Sequence, residues 1–143
     1  MARVLIVPCG CRGRELAAEL KAAGHAVRGT TRDERNVAAI AAAGAEPYVG
    51  DPDRIGTLMG ALTGVTVLVW LLGTVADPDL HGGRLRMLFE KLVDTPVRGV
   101  VYERASADGD AIAHDAAERW QIPVEIIEPE GDARAAVSRL LGL

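Results

Sequence analysis

The stretch with the clearest chemical potential is Pro8-Cys9-Gly10-Cys11-Arg12-Gly13, which follows the apolar run Val4–Val7 and opens a helical pattern. Backbone N–H groups at a helix start have no helical partner and carry positive partial charge, so such a turn can hold a diphosphate. Gly10 would let the chain come close to that anion, and Gly13 would let the helix press against the strand. Measured against the pattern G-x-G-x-x-G, the second and third glycines are present and Pro8 replaces the first. Proline has a fixed φ and no N–H, so it does not reproduce a glycine that needs positive φ. The alternative reading is a glycine-rich turn with no ligand. Cys9 and Cys11 flank Gly10, and a helix N-terminus favours the thiolate. A redox role is one reading of them; small residues filling a tight turn is the other.

A second chemical position lies about twenty residues beyond Gly13, where a dinucleotide site chooses between a ribose 2′-hydroxyl and a 2′-phosphate. The residues there are Gly29-Thr30-Thr31-Arg32. A guanidinium suits a 2′-phosphate, which it can clamp at two points. Arg12 and Arg14 would add positive charge, and Asp33 reads as a helix cap. NADP is therefore favoured over NAD. Arg32 paired with Glu34 or with solvent is the plainer alternative.

These positions need a scaffold, and the pattern supplies one. Strands are expected at Val4–Val7, Ala26–Thr30, Ala45–Val49, Val65–Leu72, Val97–Tyr102 and Val124–Ile127. Helices are expected at Arg14–Ala23, Glu34–Ala43, from Asp51-Pro52 to Leu62, at the Leu85/Leu88/Phe89/Leu92 stripe, Asp108–Gln121 and Ala133–Leu141. Six strand–helix units with short connections imply an α/β fold: a single doubly wound Rossmann domain over residues 1–143. Its six-stranded parallel sheet has order 3-2-1-4-5-6 and helices on both faces.

Composition agrees. The chain has 143 residues, 49% hydrophobic and 25% charged, which is globular usage. A net charge of −4 argues against a nucleic-acid or anionic-membrane partner. The longest apolar run, Val65–Leu72, falls well short of the roughly 20 residues of a membrane span. Two closely spaced cysteines make no disulfide framework and no metal-site pattern, so a reducing cytoplasm is expected.

Several segments together resemble the NAD(P)-binding half of atypical and extended short-chain dehydrogenases/reductases, nearest the epimerase/dehydratase branch. They are Val4 to Leu20, Gly24-His25-Ala26-Val27, Arg28 to Arg32, Val49-Gly50-Asp51 and Val67 to Gly73. The resemblance covers residues 3 to 74 well and the rest in outline. It implies a dinucleotide ligand, with Gly10, Cys11, Arg12 and Gly13 in the pyrophosphate loop. It places Arg32 at the adenosine ribose, Asp51 facing the adenine and Gly73 bordering the nicotinamide ribose.

That family works with a Tyr-x-x-x-Lys pair, in which lysine lowers the tyrosine pKa. Here the tyrosines are Tyr48 and Tyr102, and the residues four further on are Pro52 and Ser106. The pair is absent, which leaves catalytic residues unknown and enzymatic activity undecided. Thr74, Asp77, His81, Tyr102, Glu103 and Ser106 fall on or near the loops after strands four and five, which line the crevice of this fold. Of these, Tyr102, like Trp70, is better explained as strand packing. Three readings stay open. One is an NAD(P)-binding module or redox sensor. The second is a small NADPH-dependent reductase, since the cofactor itself carries the hydride. The third is a degenerate shell with a structural role. A homodimer through the helices at Leu85–Leu92 and Asp108–Gln121 is the partner expectation besides the dinucleotide.

Overall fold

The computed structural model describes residues 2–73, 75 and 82–142. Six strands form one parallel sheet in the order β3-β2-β1-β4-β5-β6: β1 (Arg3–Val7), β2 (Ala26–Thr31), β3 (Glu46–Val49), β4 (Val67–Trp70), β5 (Gly99–Glu103) and β6 (Val124–Ile127). The helices are α1 (Cys11–Ala22), α2 (Val37–Ala42), α3 (Gly83–Leu92), α4 (Ala107–Trp120) and α5 (Ala133–Leu140). This is the doubly wound order expected from the alternation.

Side chains alternate across the sheet with period two, and each set finds its own layer. Leu5, Val7, Leu68, Trp70, Val100 and Tyr102 pack with the Leu85/Leu88/Phe89/Leu92 face of α3 and with Ala113 and Ala116 of α4. On the other face, Val4, Ile6, Val67, Val69 and Val101 pack with Leu16, Ala17 and Leu20 of α1, Ile40 of α2, and Ala136 and Val137 of α5. All four residues of β4 are buried, which explains its unbroken apolar run.

The expected helix between Asp51 and Leu62 is two separate 3-10 turns, Ile55–Leu58 and Gly60–Leu62. Gly56 and Gly60 weaken an α-helix there by about 1 kcal/mol each. Thr57 competes with the ladder: its Oγ1 accepts the Asp51 N–H at 2.8 Å and donates toward the Arg54 carbonyl at 2.7 Å. The apolar spacing is nevertheless correct, since Ile55, Leu58, Ala61 and Leu62 are buried. The chain from Glu34 likewise starts with a 3-10 turn before α2.

Arg28, buried in β2, ties this region to the sheet. Its Nη1 donates to the carbonyls of Ala61 at 2.6 Å and Thr63 at 3.1 Å, and its Nε to Glu46 at 3.1 Å. Carbonyls that the short turns leave unpaired are thereby satisfied.

Candidate functional site

A cleft of about 380 Å³ opens at the carboxyl ends of β1, β2 and β3, with Leu72 and Val75 from beyond β4 as its far wall. This is the edge where ligands bind in doubly wound sheets. The turn after β1 forms one side. Gly10 is the N-cap of α1 with extended backbone (φ −80°, ψ −157°), and nothing stands within 4 Å of where its Cβ would be. The N–H groups of Gly10, Cys11 and Arg12 have no acceptor among the described residues. Gly13 lies on the buried face of α1: a Cβ there would lie 3.0 Å from the Pro8 carbonyl oxygen and 3.1 Å from Ile6 Cγ2. Close helix–strand approach is thus what that glycine provides.

Pro8 lines the cleft without filling it, and the Val7–Pro8 peptide is cis. The two thiols separate. Cys9 is 2% exposed and turns inward against Gly29, whose Cβ would sit 2.6 Å from its sulfur. Burial pushes the Cys9 thiol up to about 11, with Arg14 pulling weakly the other way. In this position Cys9 packs inward and its thiolate is disfavoured. Cys11 is exposed, 3.3 Å from the Arg14 guanidinium.

On the opposite side stand Thr30, Thr31, Arg32, Asp33 and Asn36. Asp33 caps the following 3-10 turn, accepting the Arg35 N–H at 2.9 Å, and pairs with the Arg35 guanidinium at 2.7 Å. Asp53, at the cleft's edge, lies 3.4 Å from Arg84. Each described carboxylate of the lining therefore faces an arginine. Arg32 is exposed and has no carboxylate partner among the described residues, Glu34 included. Thr30 Oγ1 is fully buried and lacks a hydrogen-bond partner among the described residues.

Of the residues expected to contact a dinucleotide, Gly10 and Arg32 line this cleft, and Cys11 and Gly13, which follow Gly10 in the chain, do not. Arg12, Asp51 and Gly73 do not line it. Asp51 spends its side chain on the Asp53 N–H at 2.9 Å. Arg12 and Gly73 both meet Glu103, at the end of β5. Arg12 makes a two-point pair with that carboxylate, Nη2 to Oε1 at 2.8 Å and Nη1 to Oε2. The Gly73 N–H donates to Oε1 at 2.7 Å and the Glu130 N–H to Oε2 at 2.9 Å. Burial alone would raise the Glu103 carboxyl. Arg12 and the two N–H groups outweigh it and hold the group below the usual carboxylate range.

The remaining crevice candidates are used structurally or lie elsewhere. Ser106 caps α4 by accepting the Gly109 N–H at 3.0 Å. Tyr102 is fully buried against Gly109, and burial, with Asp110 nearby, pushes its phenol up to about 12. Thr74, Asp77 and His81 lie outside the described residues. Glu103 had been one crevice residue among several; the centrality of its carboxylate depends on contacts far apart in sequence. Thr30, Gly50 and Asn36 were missed as lining, because nothing in their types marks them. Among the described residues no group of His, Cys, Asp or Glu is placed to hold a metal ion, and no helix is long and apolar enough to cross a membrane.

No family model matches the chain, and no curated protein does. Solved structures do. UDP-N-acetylglucosamine 4-epimerase from Bacillus cereus superposes with TM-score 0.72 at 12% identity, over 90% of this chain and 53% of that one. Citrobacter sp. triphenylmethane reductase, complexed with NADP(H), gives 0.69 at 17% identity, over 90% and 49%. A putative NAD-dependent epimerase/dehydratase from Bacillus halodurans gives 0.68 at 18%, over 90% and 70%. At these identities the likeness shows a common fold, the Rossmann domain of epimerase- and reductase-type chains. The chain spans about half the length of the first two.

Proposed function

We propose that this chain is an NADP-binding module. The observation that carries the reading is Arg32: a cation with no carboxylate partner among the described residues, on the lip of a cleft whose two described carboxylates each face another arginine. In this reading the diphosphate rests on the N–H groups of Gly10, Cys11 and Arg12 at the head of α1, and Arg32 takes the 2′-phosphate. Thr30 supplies a buried hydroxyl in want of a partner. The NADP(H) bound by the Citrobacter reductase, on the same fold, supports the class of ligand.

When bound, the cofactor would supply hydride chemistry; the described residues supply binding. Tyr102 and Ser106 are committed to packing and capping, so a binding role is preferred to a reductase. Leu85, Leu88, Phe89 and Leu92 are buried in the chain's own core, so a homodimer through α3 and α4 would have to use other residues of these helices; mass in solution tests it. A reducing cytoplasm suits the two free thiols.

The test is titration with NADPH and NADH, followed by energy transfer from tryptophan. NADPH binds more tightly, and Arg32→Ala weakens it by about tenfold to a hundredfold, the worth of a charge-assisted contact, while NADH is unchanged. Failure of both ligands to bind at millimolar concentration ends the reading.

A further inference from the structure

A doubly wound sheet offers two mononucleotide halves, over the carboxyl ends of β1–β3 and of β4–β6, and a dinucleotide crosses from one to the other. Here the two edges are finished differently. The cleft takes most of its described walls from the first half, with Leu72 and Val75 from beyond β4 opposite them; among the described lining residues none belongs to β5 or β6. Beyond that wall lies Glu103. Its Cγ occupies the space that a Cβ on Gly73 would need, with the Arg104 carbonyl oxygen close behind.

An anion over the second half would use the backbone donors that follow β4 and β6. Among the described residues two such donors, Gly73 N–H and Glu130 N–H, are already held by the Glu103 carboxylate. Arg12, the nearest cation at the head of α1, closes on the same carboxylate at two points. The Glu103 side chain is fully buried and the Arg12 side chain only one-third exposed. Opening this clasp would leave a buried charge unpaired, which is strongly unfavourable. The protein has thus put its own carboxylate where the second half of a dinucleotide would find its donors.

Resting on the reading of the cleft given above, we infer that the ligand is recognised by its 2′-phosphorylated adenosine diphosphate portion alone, with the nicotinamide end left outside the Glu103–Arg12 clasp. The binding energy then comes from groups shared by NADP⁺, NADPH and any 2′-phosphorylated adenine nucleotide of the same length. Among the described residues the nicotinamide has no contact through which its redox state could act. The chain responds to how much of the ligand is present and not to how reduced it is.

The experiment is calorimetric titration of the intact protein with NADP⁺, NADPH, 2′-phospho-ADP-ribose and nicotinamide mononucleotide. The first three bind within fivefold of one another and the mononucleotide shows no binding at millimolar concentration. A gap of more than fivefold between either dinucleotide and 2′-phospho-ADP-ribose, or between NADP⁺ and NADPH, overturns the inference while leaving the cleft as a dinucleotide site. If none of the adenine nucleotides binds, the underlying NADP reading falls and takes the inference with it.

Discussion

Arg12 and Arg32 stand at the same edge of one sheet, one after β1 and one after β2, and have opposite fates. Arg12 is locked to Glu103, a carboxylate that burial obliges to find a partner. Arg32 is exposed, so leaving it unpaired costs nothing in the free protein. What separates structural from ligand-seeking arginines here is the burial of the carboxylate opposite. The open cation stands on the half of the sheet that carries the cleft between β1, β2 and β3.

The largest effect should come from breaking the buried pair. Arg12→Met strands the Glu103 charge and is expected to cost about 3–5 kcal/mol, a fall in Tm of roughly ten degrees for a chain of this size. Arg32→Met should stay within about 0.5 kcal/mol of the parent, as surface changes do. Denaturant unfolding of the two variants compares them directly, and similar losses would dissolve the contrast. Acid sharpens it. Glu103 is depressed in the folded state, so its stabilisation is complete above the unfolded carboxylate value, about 4.3, and is lost as pH falls through the folded one. The stability gap between the parent and Glu103→Gln should therefore narrow progressively below about pH 4.3.

A smaller effect tests the floor of the open half. A Cβ on Gly29 would lie 2.6 Å from both Cβ and Sγ of Cys9, while one on Gly10 would meet nothing within 4 Å. Gly29→Ala should cost about 1–3 kcal/mol by overpacking, and Cys9→Gly should recover part of that loss in the double variant. Gly10→Ala should leave unfolding nearly unchanged and weaken NADPH instead. If Gly29→Ala is neutral, the inward position of Cys9 is wrong.

The sheet order was legible because short strand-like runs alternate with helical spacing and every connection is short, leaving one right-handed winding. The segment at Asp51–Leu62 misled because buried residues recur at the same spacing in two 3-10 turns as in one helix. Gly10 and Arg32 were legible at the cleft because their placement follows from local chain position. Arg12 and Gly73 had been grouped with them, and their tie to Glu103 was not legible. It joins residues 91 and 30 positions apart, and no local pattern encodes which arginine a distant carboxylate will take.

The smallest effect separates two neighbours inside the cleft. Thr31 Oγ1 accepts the Asp33 N–H at 3.0 Å and lies 3.4 Å from Asn36 Nδ2, whereas Thr30 Oγ1 is buried with no partner among the described residues. A buried hydroxyl without a partner is a net cost that an apolar group of the same shape removes. Thr30→Val should therefore stabilise the free protein by about 0.5–1 kcal/mol and weaken NADPH several-fold. Thr31→Val, which strands the Asp33 N–H, should destabilise by a comparable amount. Opposite signs in unfolding midpoints, joined to a loss of affinity at Thr30, would mean that this hydroxyl is kept for a ligand; a Thr30→Val variant that binds NADPH unchanged would leave it no such purpose.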